Sequence, residues 1–327
     1  MKKLSLVLGV ILFYLNFIKA QEPNQNVDYV YSPNSITNNF KTIFYHLNGK
    51  HKKHLLIKQK LVDFTKKYLP EYEKLISENC VNPYDIKKYI NGKKVKNDLV
   101  NSEESFHNSF ITILHESIHK KYEDESERDL LCYFINLDKN IYVKPDYGFY
   151  HSYYLINVID NDEILTITDN SYEYIITYLF TKDYNSNIKG IYGLLSEYNA
   201  YAHEYNAILK LSQLNDDTLN QNVKEDALKE VINIPDIYYA FNLMIGWYIE
   251  YAKQFEVDSY QKLYESFDLR EAFTETNCIF ESMMETYNKM VNDEIIDKHY
   301  DYLNNLDYEG LIELYDKQKE ELNKFKI

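Results

Sequence analysis

Two histidines and a glutamate at fixed spacing, in His115-Glu116-Ser117-Ile118-His119, are the residues of this chain best placed to do chemistry. On a helix, positions i and i+4 project from one face, so both imidazoles can reach a single zinc ion. The carboxylate between them is the group that can take a proton from a zinc-activated water. The expected roles are His115 and His119 as metal ligands and Glu116 as general base, with one zinc per chain as the implied cofactor.

That geometry needs a helix under the motif. The run from Ser102 to Tyr122 contains neither Gly nor Pro, and Asn101 with Glu104 offers an N-terminal capping signature. Projected at about 100° per residue, His115, His119, Thr112 and Glu116 share one sector. Phe106, Phe110, Ile111, Ile113, Leu114 and Ile118 cover most of the remainder. A helix apolar nearly all round is a buried one. Two His and a Glu on it need partners, because uncompensated polar burial costs several kcal/mol, and metal ligation supplies them. An exposed motif on an ordinary amphipathic helix is the competing reading.

A third ligand has to come from elsewhere, and the segment Tyr192–Tyr205 is the best source. On a helical projection Glu197 and Glu204 fall among Leu194, Ala200, Tyr201, Ala207, Ile208 and Leu211. Ser196, Asn199, His203, Asn206 and Lys210 form the opposite face, expected to be wet, with His203 a surface histidine. Two acids on an apolar face call for a partner. One ion cannot take both, since seven residues rise about 10.5 Å along a helix. Glu197, near Gly193 at the helix start, is the expected ligand. Glu204 is the alternative ligand, a group that orients one, or half of an interhelical ion pair.

An HExxH motif followed by a ligand Glu on a separate downstream helix resembles the gluzincin branch of zinc metallopeptidases. The stretch Tyr192-Gly193-Leu194-Leu195-Ser196-Glu197-Tyr198-Asn199-Ala200-Tyr201 is also similar to one in secreted bacterial proteins that carry HExxH. The likeness covers roughly 102–211; Trp247–Lys253 and Glu271–Thr274 follow it loosely. It departs where the usual Asp four residues beyond the ligand Glu is Tyr201, and the Glu lies farther from the motif than in that branch. Tyr122 stands where the metzincin form would have Gly. The resemblance implies a zincin-like metallopeptidase core.

The rest of the chain sets the context. Lys2 and Lys3, the apolar run Leu4–Phe17 and Lys19-Ala20 read as a cleaved secretory signal, with the apolar run too short for a membrane span. The expected location is secreted, periplasmic or extracellular, and no membrane span is expected after signal removal. Cleavage there takes the net charge from −15 to about −18. Such a surface repels nucleic acid and anionic membranes, and nucleic-acid binding is set aside. The high tyrosine count, 34 residues, fits a coding bias. Cys80, Cys132 and Cys278 leave room for one disulfide of unassigned connectivity, with Cys132 read as a core thiol.

Leu55, Leu56, Leu61, Phe64, Tyr68 and Leu75 give 54–79 a helical pattern. The runs at 133–137, 153–158, 164–168 and 174–180, β-branched and aromatic, read as a small sheet with hairpins. From 190 onward the pattern is helical, with Ile237, Phe241, Met244, Tyr248, Tyr251 and Phe255 on one stripe of a helix starting near Pro235. The expected class is mostly α with a small β-sheet (α+β): a signal peptide over 1–20, a lead-in and helical region over 21–100, the metal-binding core over 101–212, and a helical region over 213–327 packed on that core. The expected function is a secreted zinc metallopeptidase acting on peptides or proteins. A catalytically silent binding protein on the same fold is the alternative. Among Tyr147, Tyr150, His151, Tyr153 and Tyr154 a donor to a developing oxyanion is sought, without a choice between them.

Overall fold

Helical periodicity and one short β-branched, aromatic run account for most of the architecture. The computed structural model describes residues 49–80, 103–125, 130–145, 154–155, 158–159, 167, 169–180, 189–214, 219, 221–296 and 309–327, with the side chains of 49–57, 103–109, 169–170 and 309 excepted. Helix α1 (Gly49–Tyr68) ends at Pro70, which opens a short 3₁₀ turn (Pro70–Tyr72) leading into α2 (Glu73–Asn79). Helix α3 (Glu103–Glu125) carries the HExxH motif. Asn101, the expected cap, lies outside the described residues, as does the signal-like segment 1–20.

A hairpin follows, β1 (Leu131–Asn136) and β2 (Lys139–Val143), antiparallel with Cys132 opposite Tyr142 and Tyr133 opposite Ile141. Its turn is fastened by the Asp138 amide donating to Asn136 Oδ1 at 2.9 Å, as Asx side chains do in turns. Cys132 is buried in β1, Cys80 is half-buried and Cys278 exposed; all three are thiols.

The expected strand over 174–180 is not one. Helix α4 (Asp169–Ile175) runs on into a π-helical turn (Ile176–Phe180). Tertiary packing overrides the strand propensity of this run. Helical spacing puts Tyr174 and Tyr178 on one face, where both rings pack against Tyr201 and Phe241. The sheet among the described residues is therefore the two-stranded hairpin. The residues described at 154–159 and at 167 are not strand either, and the remainder of 153–158 and 164–168 lies outside the described residues.

Helix α5 (Ile191–Ser212) is central: α3, α6 (Gln221–Val231), α7 (Ile234–Phe255), α9 (Phe267–Asn292) and β1 all pack against it. Every residue from Ile191 to Ala200 is buried, so the face expected to be wet is dry over its first turns. Asn199 donates to the Phe134 carbonyl at 2.9 Å, and His203 is only 3% exposed. Only Lys210 on that face is exposed.

Helix α7 begins with Pro235 in its first turn and is buried as far as Ile249 except at half-buried Tyr239, while Phe255, expected on its buried stripe, is exposed. Helices α8 (Val257–Glu265) and α10 (Glu309–Phe325) complete the C-terminal region, α10 lying along α7. Among the described residues no helix is long and apolar enough to cross a membrane. All contacts of the site described next lie within the compact unit His51–Ile327.

Candidate metal centre

Helix α3 presents His115 and His119 one turn apart because Phe110, Ile111, Ile113, Leu114 and Ile118 are buried and lock its rotation. Ser117, on the inner side, is satisfied by donating to the Ile113 carbonyl at 2.6 Å. Helix α5 crosses this face and supplies the acids.

His115, His119 and Glu197 are positioned to hold a metal ion. The Nε2 atoms of His115 and His119 lie 3.0 Å apart. Glu197 Oε2 is 3.1 Å from Nε2 of His119 and 3.6 Å from Nε2 of His115. Three potential donor atoms thus converge on one point. Glu204 is not in this group. Its Oε2 lies 2.7 Å from the far nitrogen of His115, Nδ1. A carboxylate there holds Nδ1–H and fixes Nε2 as the nitrogen that faces His119 and Glu197. Ser196 Oγ lies 3.4 Å from His119 Nδ1, a longer contact to the second ring.

The electrostatics call for positive charge at this point. Burial lowers the pKa of His115, but hydrogen bonds to and charge on Glu197 and Glu204 raise it, for a net rise to about 10. Burial works against the Glu197 carboxylate, yet the neighbouring His119 and His115 hold its pKa well below the ordinary carboxylate range. Two acids therefore demand a cation between them, either a proton on His115 or a metal ion bound in its place.

Glu116 follows His115 on α3 and is half-buried. Among the described residues no hydrogen bond or ion pair ties up its carboxylate, which leaves it available as a base.

Two residues escaped the sequence reading. The Tyr201 ring meets His115 edge to face, with centroids 4.7 Å apart. Its hydroxyl lies 2.8 Å from that of Tyr178. Burial raises both phenol pKa values well above the ordinary value, so both hydroxyls stay protonated. The available signal was spacing: Tyr201 stands one turn beyond Glu197 and must share its stripe. Tyr178 carried no such signal, since its segment read as a strand.

His203 is buried, not a surface residue. Its Nε2 lies 2.9 Å from the Phe134 carbonyl and its Nδ1 3.4 Å from the Tyr72 hydroxyl. It ties α5 to the hairpin and to the 3₁₀ turn and takes no part in the metal group. Of the residues considered as oxyanion donors, Tyr147, Tyr150, His151 and Tyr153 lie outside the described residues. Tyr154 is exposed and stacks on Tyr251.

The chain matches no protein-family model, no curated protein and no solved structure.

Proposed function

We propose that this chain is an exported zinc peptidase of the HExxH type, with a zincin-like core, in which His115, His119 and Glu197 hold the ion. The observation that carries the reading is the spacing of the three donor atoms, 3.0, 3.1 and 3.6 Å. Tetrahedral zinc with bonds of 2.0–2.1 Å places neighbouring donors about 3.3 Å apart, within the range of these three spacings. Two imidazoles and one carboxylate form a borderline donor set that suits zinc and argues against calcium or magnesium, which take oxygen. A gluzincin-like role for Glu197, on a helix separate from the motif, is consistent with this placement.

Bound zinc would polarise a scissile carbonyl and lower the pKa of water. The other tasks fall to the chain itself. Glu116, one residue after a ligand, accepts the proton of the attacking water and delivers it to the leaving amine. Glu204 keeps the proton on His115 Nδ1, so that Nε2 remains a donor of its lone pair. The protonated hydroxyls of Tyr178 and Tyr201, the latter on a ring packed against His115, are the candidates to steady negative charge on a substrate oxygen. Export is supported by Lys2-Lys3, the apolar run Leu4–Phe17 and Ala20.

The test pairs the zinc-loaded wild type with Glu116→Gln on a broad peptide library, read by mass spectrometry. Wild type should cleave. The variant should keep zinc and fold, since Gln is nearly isosteric, and lose cleavage by orders of magnitude. Equal cleavage by both would remove Glu116 from the mechanism. A zinc-loaded wild type that cleaves nothing would instead be a metal-holding binding protein.

A further inference from the structure

A cavity of about 400 Å³ opens beside the metal group, lined by Glu173, Tyr174, Tyr178, Tyr201, Tyr205 and Glu230 among others. That volume lies within the range of small-ligand pockets. Its position relative to the site follows from one helix. Glu197, Tyr201 and Tyr205 stand at i, i+4 and i+8 on α5, so one stripe runs from the metal group into the cavity at about 6 Å per step. Tyr201 touches both, with its ring against His115 and its hydroxyl against Tyr178.

The lining has a definite chemical character. Tyr174 and Tyr178 from α4 and its π turn meet Tyr201 nearly perpendicularly, at 87° and 86°, and Tyr205 tilts against Tyr201 at 44°. Aromatic faces attract cations. Two carboxylates, Glu173 and Glu230, line it as well, beside Thr177 and Asn233. Among the described residues neither Glu173 nor Glu230 pairs with a Lys, Arg or His, and the one bond given to Glu230 is the Asn233 amide at 3.2 Å. Among the described residues that line the cavity none is basic. Aromatic rings, uncompensated carboxylates and the absence of basic side chains suit a cationic group with an apolar stem, which is what a lysine or arginine side chain is. The net charge of the chain, −15, favours approach of such a substrate at longer range.

We propose that this cavity is the specificity subsite of the peptidase and takes a Lys or Arg side chain close to the scissile bond. The proposal rests on the peptidase reading above, and it makes Glu173, Glu230 and the tyrosine cluster the residues that select the substrate.

The experiment measures binding without turnover. Zinc-loaded Glu116→Gln protein is titrated by calorimetry with blocked tripeptide amides that differ only at the central residue: Arg, its neutral isostere citrulline, or Glu. The Arg peptide should bind about tenfold tighter than the citrulline peptide, and the Glu peptide more weakly than either. Adding Glu173→Gln and Glu230→Gln together should cut the Arg advantage severalfold and leave only the part due to the rings, with zinc stoichiometry and thermal unfolding unchanged, since both side chains are exposed. Equal binding of Arg and citrulline peptides, or an Arg preference undiminished by both substitutions, would overturn the subsite. The library digestion by wild type is a separate readout. An Arg preference in binding with no cleavage would retain the cationic pocket and discard the peptidase reading.

Discussion

The carboxylate of Glu204 lies 2.7 Å from Nδ1 of His115, although the two residues are 89 positions apart in the chain. Glu197, seven residues earlier on the same helix, faces the opposite nitrogen of the same imidazole. The two acids therefore have different tasks, and metal titration should separate them. Glu197→Ala should abolish tight zinc binding by removing a ligand. Glu204→Ala should weaken it about 10–100-fold, the usual loss when a group orienting a ligand is removed. Competition with a chromophoric chelator measures both. The reverse order would make Glu204 the ligand.

The protein should bind close to one zinc per chain, and His119→Ala should lose it. Binding to the folded state alone raises stability by about 2.7 kcal/mol at an ion concentration 100 times the dissociation constant. Thermal unfolding of wild type should therefore shift downward on adding chelator and recover with zinc, while His119→Ala should show no shift. An unchanged melting temperature in wild type, with no zinc by elemental analysis after zinc addition, would refute the metal group.

His203 should make the fold sensitive to acid. Burial pushes its pKa down, the bond to the Phe134 carbonyl acts against this, and Lys210 adds to the lowering, leaving it at about 4 from the ordinary 6.5. The unfolded chain then takes up this proton before the folded one does. The stabilisation is complete above about pH 6.5 and is lost as pH falls from there through 4, for about 3 kcal/mol in total. His203→Gln can still donate to the carbonyl but does not titrate. Urea unfolding of chelator-treated protein at pH 7, 5 and 4 should show a steeper fall for wild type than for the variant. Parallel curves would mean that His203 is not buried neutral.

Gly246 marks the closest approach of α7 to α10. A Cβ added there would stand 2.9 Å from Gln318 Cβ, near the backbone of α10 where little can give. Gly→Ala in a helix ordinarily gains about 1 kcal/mol, but overpacking costs about 1–3 kcal/mol. Gly246→Ala should therefore be neutral to about 2 kcal/mol destabilising, and Gly246→Val, which is larger and β-branched, worse by a further 1–2 kcal/mol or so. A clear gain in stability for Ala, read by chemical unfolding, would show that the helices can move apart at little cost.

Local spacing made the candidate site legible. His115 and His119 are four residues apart on a helix, so their shared face follows from helical pitch without any knowledge of neighbours. The two acids of α5 stood out for a related reason: a carboxylate amid apolar residues signals a partner, whatever that partner is. The same projection misplaced Ser196, Asn199 and His203. A helix packed on several sides has no wet face, and polar residues can be buried wherever another element offers a carbonyl or hydroxyl, as Phe134 and Tyr72 do for His203. The run 174–180 was misread because its β-branched and aromatic residues fit a strand equally well until Tyr201 and Phe241 are there to receive a helical face.

Taken alone, the sequence determined that two imidazoles share a helix face with a glutamate between them, and that two more acids lie on one buried stripe of a second helix. Which acid meets which nitrogen of His115 was decided only by the tertiary structure. The crossing of α3 and α5 sets that pairing, and the crossing depends on the packing of apolar residues from both helices. The cavity of tyrosines beside the site has the same origin. Its walls come from α4 with its π turn, α5 and the end of α6, segments whose contact is a property of the folded chain and of no local pattern in any of them.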